Sequence, residues 1–289
     1  MNSFSFLLGS PSVRRLLLAV LLSGSARPGA AQKAPTPAPE QQLTVDLTTP
    51  DKPGSLAVKL VNGSIHVKGY AGKSVVIEAV GRARPAGEEP ADRAAPPGMK
   101  RLSTANSLTL TAKELNNHIE LETDSYRHAI DLTIKVPLNF SLKLDAVNGG
   151  DIVVENVRGE LELSNVNGAI LLSQVSGSAV ANTINGNLTA TFSSVTAGAP
   201  MAFSSLTGKV DVTFPSTIKA SLKLKSDRGQ VYSDFDVALD KSAPKVTRTT
   251  QNGLSRLSTD PWTYGTLNGG GADIMLKSMN GSIFLRKAK

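Results

Sequence analysis

The sequence predicts an all-β protein, a flattened β-solenoid of stacked two-strand coils with about nine residues per strand unit. Three observations carry this. A short phrase ending in glycine recurs along the chain, apolar and polar residues alternate with a period of two, and no stretch beyond the N-terminal leader has a helical period.

The leader comes first. Arg14 and Arg15 precede the apolar run Leu16–Leu22, and the small residues Gly29-Ala30-Ala31 close the segment. This pattern predicts a signal peptide over 1–31, cleaved after Ala31. The apolar run is much shorter than the about 20 residues a membrane helix needs, and no later segment is long and apolar enough to span a bilayer. Residues 32–42 read as a proline-rich spacer. The remaining 43–289 read as one β-strand-repeat domain, exported to the periplasm or the cell surface.

Composition narrows the chemistry. The chain of 289 residues has no cysteine, which excludes disulfide frameworks, cysteine–zinc sites and thiol nucleophiles. Its 31 basic residues outnumber 24 acidic ones, but Arg14, Arg15 and Arg27 leave with the leader. The rest are scattered, and export argues against nucleic acid as a partner.

Strand candidates follow in order: Leu43-Val45-Leu47, Leu56-Val58-Leu60, Val75-Ile77, Leu108-Leu110 and Ile119-Leu121. Ala129–Val136 places Ile130, Leu132, Ile134 and Val136 on one face, Pro137 stops that run, and Phe140, Leu142 and Leu144 resume it. Two segments break the pattern and read as surface loops, 82–101 and 240–264.

The recurring phrase is an aliphatic residue, a polar residue and glycine, followed by apolar residues at Gly+2 and Gly+4. It occurs with glycine at 63, 159, 168, 177, 186, 208 and 281, and at 149 with an extra Gly150 before Ile152 and Val154, and is clearest over 146–233 and 267–289. Five copies carry Asn-Gly: Asn62-Gly63, Asn148-Gly149, Asn167-Gly168, Asn185-Gly186 and Asn280-Gly281. Asn-Gly tolerates positive φ, so each copy marks a tight corner. Between 148 and 186, Asn alternates with Arg158 and Ser176 at the corners, which predicts two corners per coil. The register continues at Thr207-Gly208 and Arg228-Gly229 with longer steps. Such units bury their inner faces only by stacking. An antiparallel β-meander sandwich is the alternative, because Asn-Gly is equally a hairpin signature.

The phrase V-N-G-x-I-x-V resembles the bacterial putative-adhesin family, a β-strand-repeat domain of unknown function. The segment Leu267-Asn268-Gly269-Gly270-Gly271-Ala272-Asp273-Ile274-Met275-Leu276-Lys277-Ser278-Met279-Asn280-Gly281-Ser282-Ile283 is similar to the way members close their array, and the resemblance covers 43–289. It implies an exported all-β envelope protein and brings no catalytic residues.

Candidate chemistry is sparse. His66, His118 and His128 are the only imidazoles; His118 points outward and His128 is in phase with inward Ile130, so no shared metal site is expected. Gly269-Gly270-Gly271-Ala272-Asp273 is a single glycine-rich turn, without the repetition of a calcium β-roll. Ser204 and Ser205 have no histidine partner in the pattern. Asp151, Glu155, Glu160 and Glu162, with Arg158, are the carboxylates to weigh for a carbohydrate-active enzyme on a β-helix. The binding candidates are Lys219, Lys223 and Lys225, which alternate with inward leucines, and Trp262 and Tyr264. The expected function is a non-enzymatic, adhesin-like binding or scaffold module without a cofactor, taking an envelope polysaccharide or a surface protein. The alternatives are that enzyme and an envelope-stress accessory or sensor.

Overall fold

The computed structural model describes residues 41–82, 109–123, 126, 128–241, 246–251, 254–259 and 262–289. The predicted signal peptide, most of the spacer, and the predicted loop at 82–101 apart from Arg82 lie outside them. The protein is all-β, and the described residues include no helix.

The N-terminal strands are β1 (Gln41–Asp46), β2 (Gly54–Asn62), β3 (Ile65–Tyr70), β4 (Ser74–Gly81), β5 (Leu110–Leu115), β6 (His118–Thr123) and β7 (Ile130–Pro137). The repeat region supplies β8 (Phe140–Asn148), β9 (Ile152–Glu155), β10 (Arg158–Asn167), β11 (Ile170–Asn185), β12 (Leu188–Val195), β13 (Met201–Ser205) and β14 (Val210–Phe214). Next come β15 (Ala220–Ser226), β16 (Val231–Ser233), β17 (Ala238–Leu239), β18 (Val246–Gln251) and β19 (Leu254–Thr259). The chain closes with β20 (Thr263–Leu267), β21 (Ala272–Ser278) and β22 (Ile283–Lys287). All but β18 and β19 belong to one mixed sheet of 20 strands.

Two details differ from the sequence reading. Gln41 and Gln42, assigned to the spacer, already pair with Ala79 and Glu78. The segment read as a loop at 240–264 contains the antiparallel pair β18–β19, a separate two-stranded sheet.

Pairings from β8 to β14 are all parallel. Gly159 lies beside Gly177, Ile170 beside Ile152 and Leu188, and Leu161 beside Leu142, offsets of 18 or 19 residues. The strands form two rows. One runs β6, β2, β8, β10, β11, β13, β21, β15, β20; the other runs β7, β3, β9, β11, β12, β14, β22, β16. The long strand β11 belongs to both, its first half between β9 and β12 and its second between β10 and β13. Antiparallel pairs finish the ends, including β1–β4, β4–β7, β5–β6 and β15–β20.

Every Gly+2 and Gly+4 residue of the phrase is buried, counted from Gly150 in the copy with the extra glycine, from Ile65 and Val67 to Ile283 and Leu285. They form one aliphatic core in which Phe192, Phe203 and Phe214 cluster with ring centroids 5.2–6.3 Å apart. Small Ala181 lies beside Phe203 in register, so large and small side chains alternate to fill the space.

The corners correct the sequence reading. Of the five Asn-Gly glycines only Gly63 and Gly149 have positive φ, at 129° and 84°. Gly168 and Gly186 are needed for close approach: a Cβ at either would lie 2.0 Å from the carbonyl oxygen of the glycine one coil away. The difference follows the residue three before the glycine. Leu60 and Ala146 precede the positive-φ corners, whereas Asn165, Thr183, Ser205, Ser226 and Ser278 precede the others. The hydroxyls of Ser205, Ser226 and Ser278 accept the N–H of Gly208, Gly229 and Gly281 at 2.8–2.9 Å, holding the turn without a left-handed residue.

The glycine column also shows where the C-terminus goes. Gly229 does not stack on Gly208, as simple continuation of the register implies. A Cβ at Gly281 would meet the Gly208 carbonyl, and one at Gly229 would meet Gly281. Strands β21 and β22 are thus inserted between β13–β14 and β15–β16.

Candidate functional site

Inward Leu222 and Leu224 force Lys223 and Lys225 onto the outer face of β15. On β21, buried Ile274 and Leu276 likewise turn Met275 and Lys277 outward. Parallel register sets Lys223 beside Met275 and Lys225 beside Lys277. From the other side, antiparallel β20 sets Tyr264 beside Lys223 and brings Trp262 over the pair. The Lys223 Nζ lies 4.4 Å from the Trp262 ring centroid and the Lys225 Nζ 5.6 Å. Tyr264 is 42% exposed.

Lys225 pairs with Asp227 at 3.3 Å, and among the described residues neither Lys223 nor Lys277 has a carboxylate at ion-pair distance. The result is a flat cationic patch with an aromatic plate on top. It can hold an anion over the ammonium groups and stack a ring or sugar face on Trp262.

Four of the five sequence candidates meet in this patch, and Lys219 does not. It lines a separate cavity of about 840 Å³ formed by the 193–201, 215–219 and 270–274 segments. Lys277 and Met275 were missed. Their alternation with Ile274 and Leu276 was legible, but nothing in the spacing places β21 against β15.

The Asn-Gly corners have a structural role. The Asn185 side-chain amide donates to Asn167 Oδ1 and that of Asn167 to Asn148 Oδ1, both at 2.8 Å. Thr207 donates to Asn185 Oδ1 at 3.3 Å, and Arg228 to Asn280 Oδ1 at 2.6 Å. Asn62 lies in register with Asn148.

The carboxylates separate into different surroundings. Asp151 accepts the Ala169 N–H at 2.7 Å, a corner contact. Glu155 lies 3.5 Å from His66 Nε2 on the second row. Arg158 is exposed at the start of β10. Glu160 and Glu162 line a shallow groove of about 500 Å³ on the first row, with Ser55, His118, Ser141 and Lys143. Glu162 pairs with Lys143 at 2.8 Å, and this hydrogen bond and the Glu162 charge hold the ammonium above its ordinary pKa. Ser55 Oγ and His118 Nδ1 lie 2.7 Å apart, a serine–histidine pair that 63 residues of separation hid from the sequence. Ser205 is a buried corner hydroxyl, and Ser204 faces outward beside Lys277. No group of three or more His, Asp or Glu residues among those described could hold a metal ion. Asn268, Gly269 and Gly270 all have positive φ, so the glycine-rich segment before Asp273 is a tight turn, anchored by Asn268 Nδ2 on the Ile218 carbonyl at 2.7 Å.

No described helix is long and apolar enough to cross a membrane. No family model matches the chain, and no curated protein matches it. Among solved structures it is similar to a putative cell adhesion protein from Clostridium sporogenes, at 10% identity over 88% of this chain and 100% of that one, with a TM-score of 0.48.

Proposed function

We propose that the chain is an exported, non-enzymatic adhesin-like module of the bacterial cell envelope, a flattened β-solenoid that binds an anionic envelope polysaccharide. The leader at 1–31 supports export, and the parallel offsets of 18 and 19 residues support the coiled arrangement. One observation carries the ligand: Lys223 and Lys225 under Trp262, with Lys277 beside them, offer positive charge and a stacking surface on a flat face. A flat face suits an extended polymer better than a small molecule, which needs an enclosing pocket.

The test is binding of the purified chain to acidic and neutral polysaccharides by calorimetry, with Lys223→Gln/Lys277→Gln as the comparison. Binding to the acidic polymer that weakens in the variant supports the reading. Equal binding by the variant, or recognition only of a surface protein, overturns it.

A second reading, a carbohydrate-active enzyme, draws on the groove where Glu160, Glu162, His118 and Ser55 converge. Release of reducing ends by the wild-type chain, abolished in Glu160→Gln, would establish it in place of the first.

A further inference from the structure

Seven Asn-Gly pairs occur in the chain, and this dipeptide carries a latent reaction of its own. The glycine amide nitrogen can attack the asparagine Cγ, because glycine has no side chain to obstruct the approach. The reaction needs a glycine N–H uncommitted to an acceptor and an asparagine amide free to swing over it. Asn252-Gly253 lies outside the described residues, and the other six pairs differ in both respects. Three have the nucleophile tied up. Gly63 N–H donates to the Asn148 carbonyl at 2.8 Å, Gly168 N–H to the Asn185 carbonyl at 3.1 Å, and Gly281 N–H to Ser278 Oγ at 2.9 Å. The N–H groups of Gly149, Gly186 and Gly269 donate to none of the described residues. Two of the asparagines before them are pinned. Asn185 donates to Asn167 Oδ1 at 2.8 Å and accepts from Thr207 at 3.3 Å. Asn268 donates to the carbonyls of Ser216 and Ile218 at 3.1 and 2.7 Å. Asn148 is the open end of the asparagine column. It accepts from Asn167 at 2.8 Å, while its own Nδ2 donates to none of the described residues. Asn148 and Gly149 are exposed, Gly149 has a φ of 84°, and a second glycine follows it.

We propose that Asn148 is a site of spontaneous deamidation, the one corner among those described at which the fold leaves this reaction open. Base takes the Gly149 N–H proton, the nitrogen bonds to Asn148 Cγ, and the Cγ–Nδ2 bond breaks. Ammonia leaves and carries that proton away. Water then opens the cyclic imide, giving aspartate if the new bond breaks and isoaspartate if the old peptide bond does. The Asn167 amide assists, since its hydrogen bond to Asn148 Oδ1 stabilises the oxygen that gains negative charge during the attack. The product matters at this place. Arg82 donates to the Gly149 carbonyl, and the Asn148 carbonyl holds the Gly63 N–H. An isoaspartate routes the backbone through one more carbon and so displaces both contacts.

The test is peptide mapping by mass spectrometry of the full chain aged at mildly alkaline pH, both folded and in urea. In the folded chain the mass gain of an amide turned acid should accumulate at Asn148 at least about fivefold faster than at Asn62, Asn167, Asn185, Asn268 or Asn280, where a hydrogen bond must break first. In urea the six rates should converge, because glycine follows each asparagine. Asn167→Ala removes the acceptor of the Asn185 amide and should bring Asn185 into the reacting set. A folded Asn148 no faster than Asn167 or Asn280 overturns the proposal. So does the same rank order in urea, which would assign the difference to local sequence. An Asn185 rate that Asn167→Ala leaves unchanged, at an unchanged melting temperature, overturns it as well. None of these outcomes depends on polysaccharide binding.

Discussion

Ser278 donates its hydroxyl to the carbonyl oxygen of Gly208 at 2.9 Å while accepting the N–H of Gly281 at 2.9 Å, and it is fully buried. Thr183 and Ser205 make the same donation to Gly168 and Gly186 at 2.8 Å. In these three coils one buried oxygen thus ties the corner to its neighbour. Ser278→Ala removes both bonds and leaves buried backbone groups unsatisfied, at a cost of about 1–3 kcal/mol. Ser278→Thr keeps the oxygen and should lose less. Thermal melts of the two variants check this, and equal melting temperatures would deny the hydroxyl its role.

Gly186→Ala should be far more damaging than a change at an open glycine. Its Cβ would sit 2.0 Å from the Gly168 carbonyl oxygen, so backbone must move along the stack. Gly81, where an added methyl would meet nothing within 4 Å among the described residues and φ is not positive, is the control. Gly81→Ala should fall within about 0.5 kcal/mol of wild type, and Gly186→Ala should lose about 2 kcal/mol or more. Denaturant melts compare them, and similar midpoints would mean the column is looser than its geometry.

That contrast marks how far the pattern could be read. Glycine spacing placed the inward pairs Ile170 and Leu172 or Leu188 and Ala190 correctly, because a period of two and a fixed corner leave little choice. It assigned the wrong cause to Gly168, because Asn-Gly signals positive φ in isolation while stacked carbonyls exclude a Cβ only in the assembled fold. The buried hydroxyl column was visible at Thr183, Ser205 and Ser278, always three before glycine, but its meaning depends on the next coil. Lys277 reached the candidate site only through insertion of β21 beside β15, a long-range pairing with no local signal. The same holds for Ser55 and His118.

Acid should loosen the N-terminal end first. Burial alone would raise the Asp131 carboxyl, but hydrogen bonds from Arg82 and Ser64 and the Arg82 charge outweigh it and hold the pKa below the ordinary 3.8. A depressed folded pKa means the contribution is present above the unfolded value and is lost as pH falls through the lower folded one. Arg82 also donates to the Gly149 carbonyl, so protonating Asp131 releases a clamp on that corner. In Asp131→Asn the loss of melting temperature below about pH 4 should be shallower than in wild type. Parallel acid limbs in the two proteins would remove Asp131 from the account.

Trp262 is the only tryptophan, and its ring carries Lys223 at 4.4 Å, so intrinsic fluorescence reports directly on the patch. An anion drawn to Lys223 and Lys277 must alter the charge above the indole, and a sugar stacked there must displace water from it. Titration with an acidic polysaccharide should therefore shift or quench the emission, whereas a neutral polymer of similar length should do so weakly. Raising ionic strength from about 0.05 to 0.5 M should weaken the response about tenfold, since exposed charges are screened within a few ångströms at the higher salt. Lys225 should matter less than Lys223 or Lys277, because Asp227 already neutralises it at 3.3 Å. The order of loss expected is Lys223→Gln and Lys277→Gln ahead of Lys225→Gln. A salt-independent response, or one as strong with the neutral polymer, would leave stacking on Trp262 alone as the source of binding and remove the lysines from recognition.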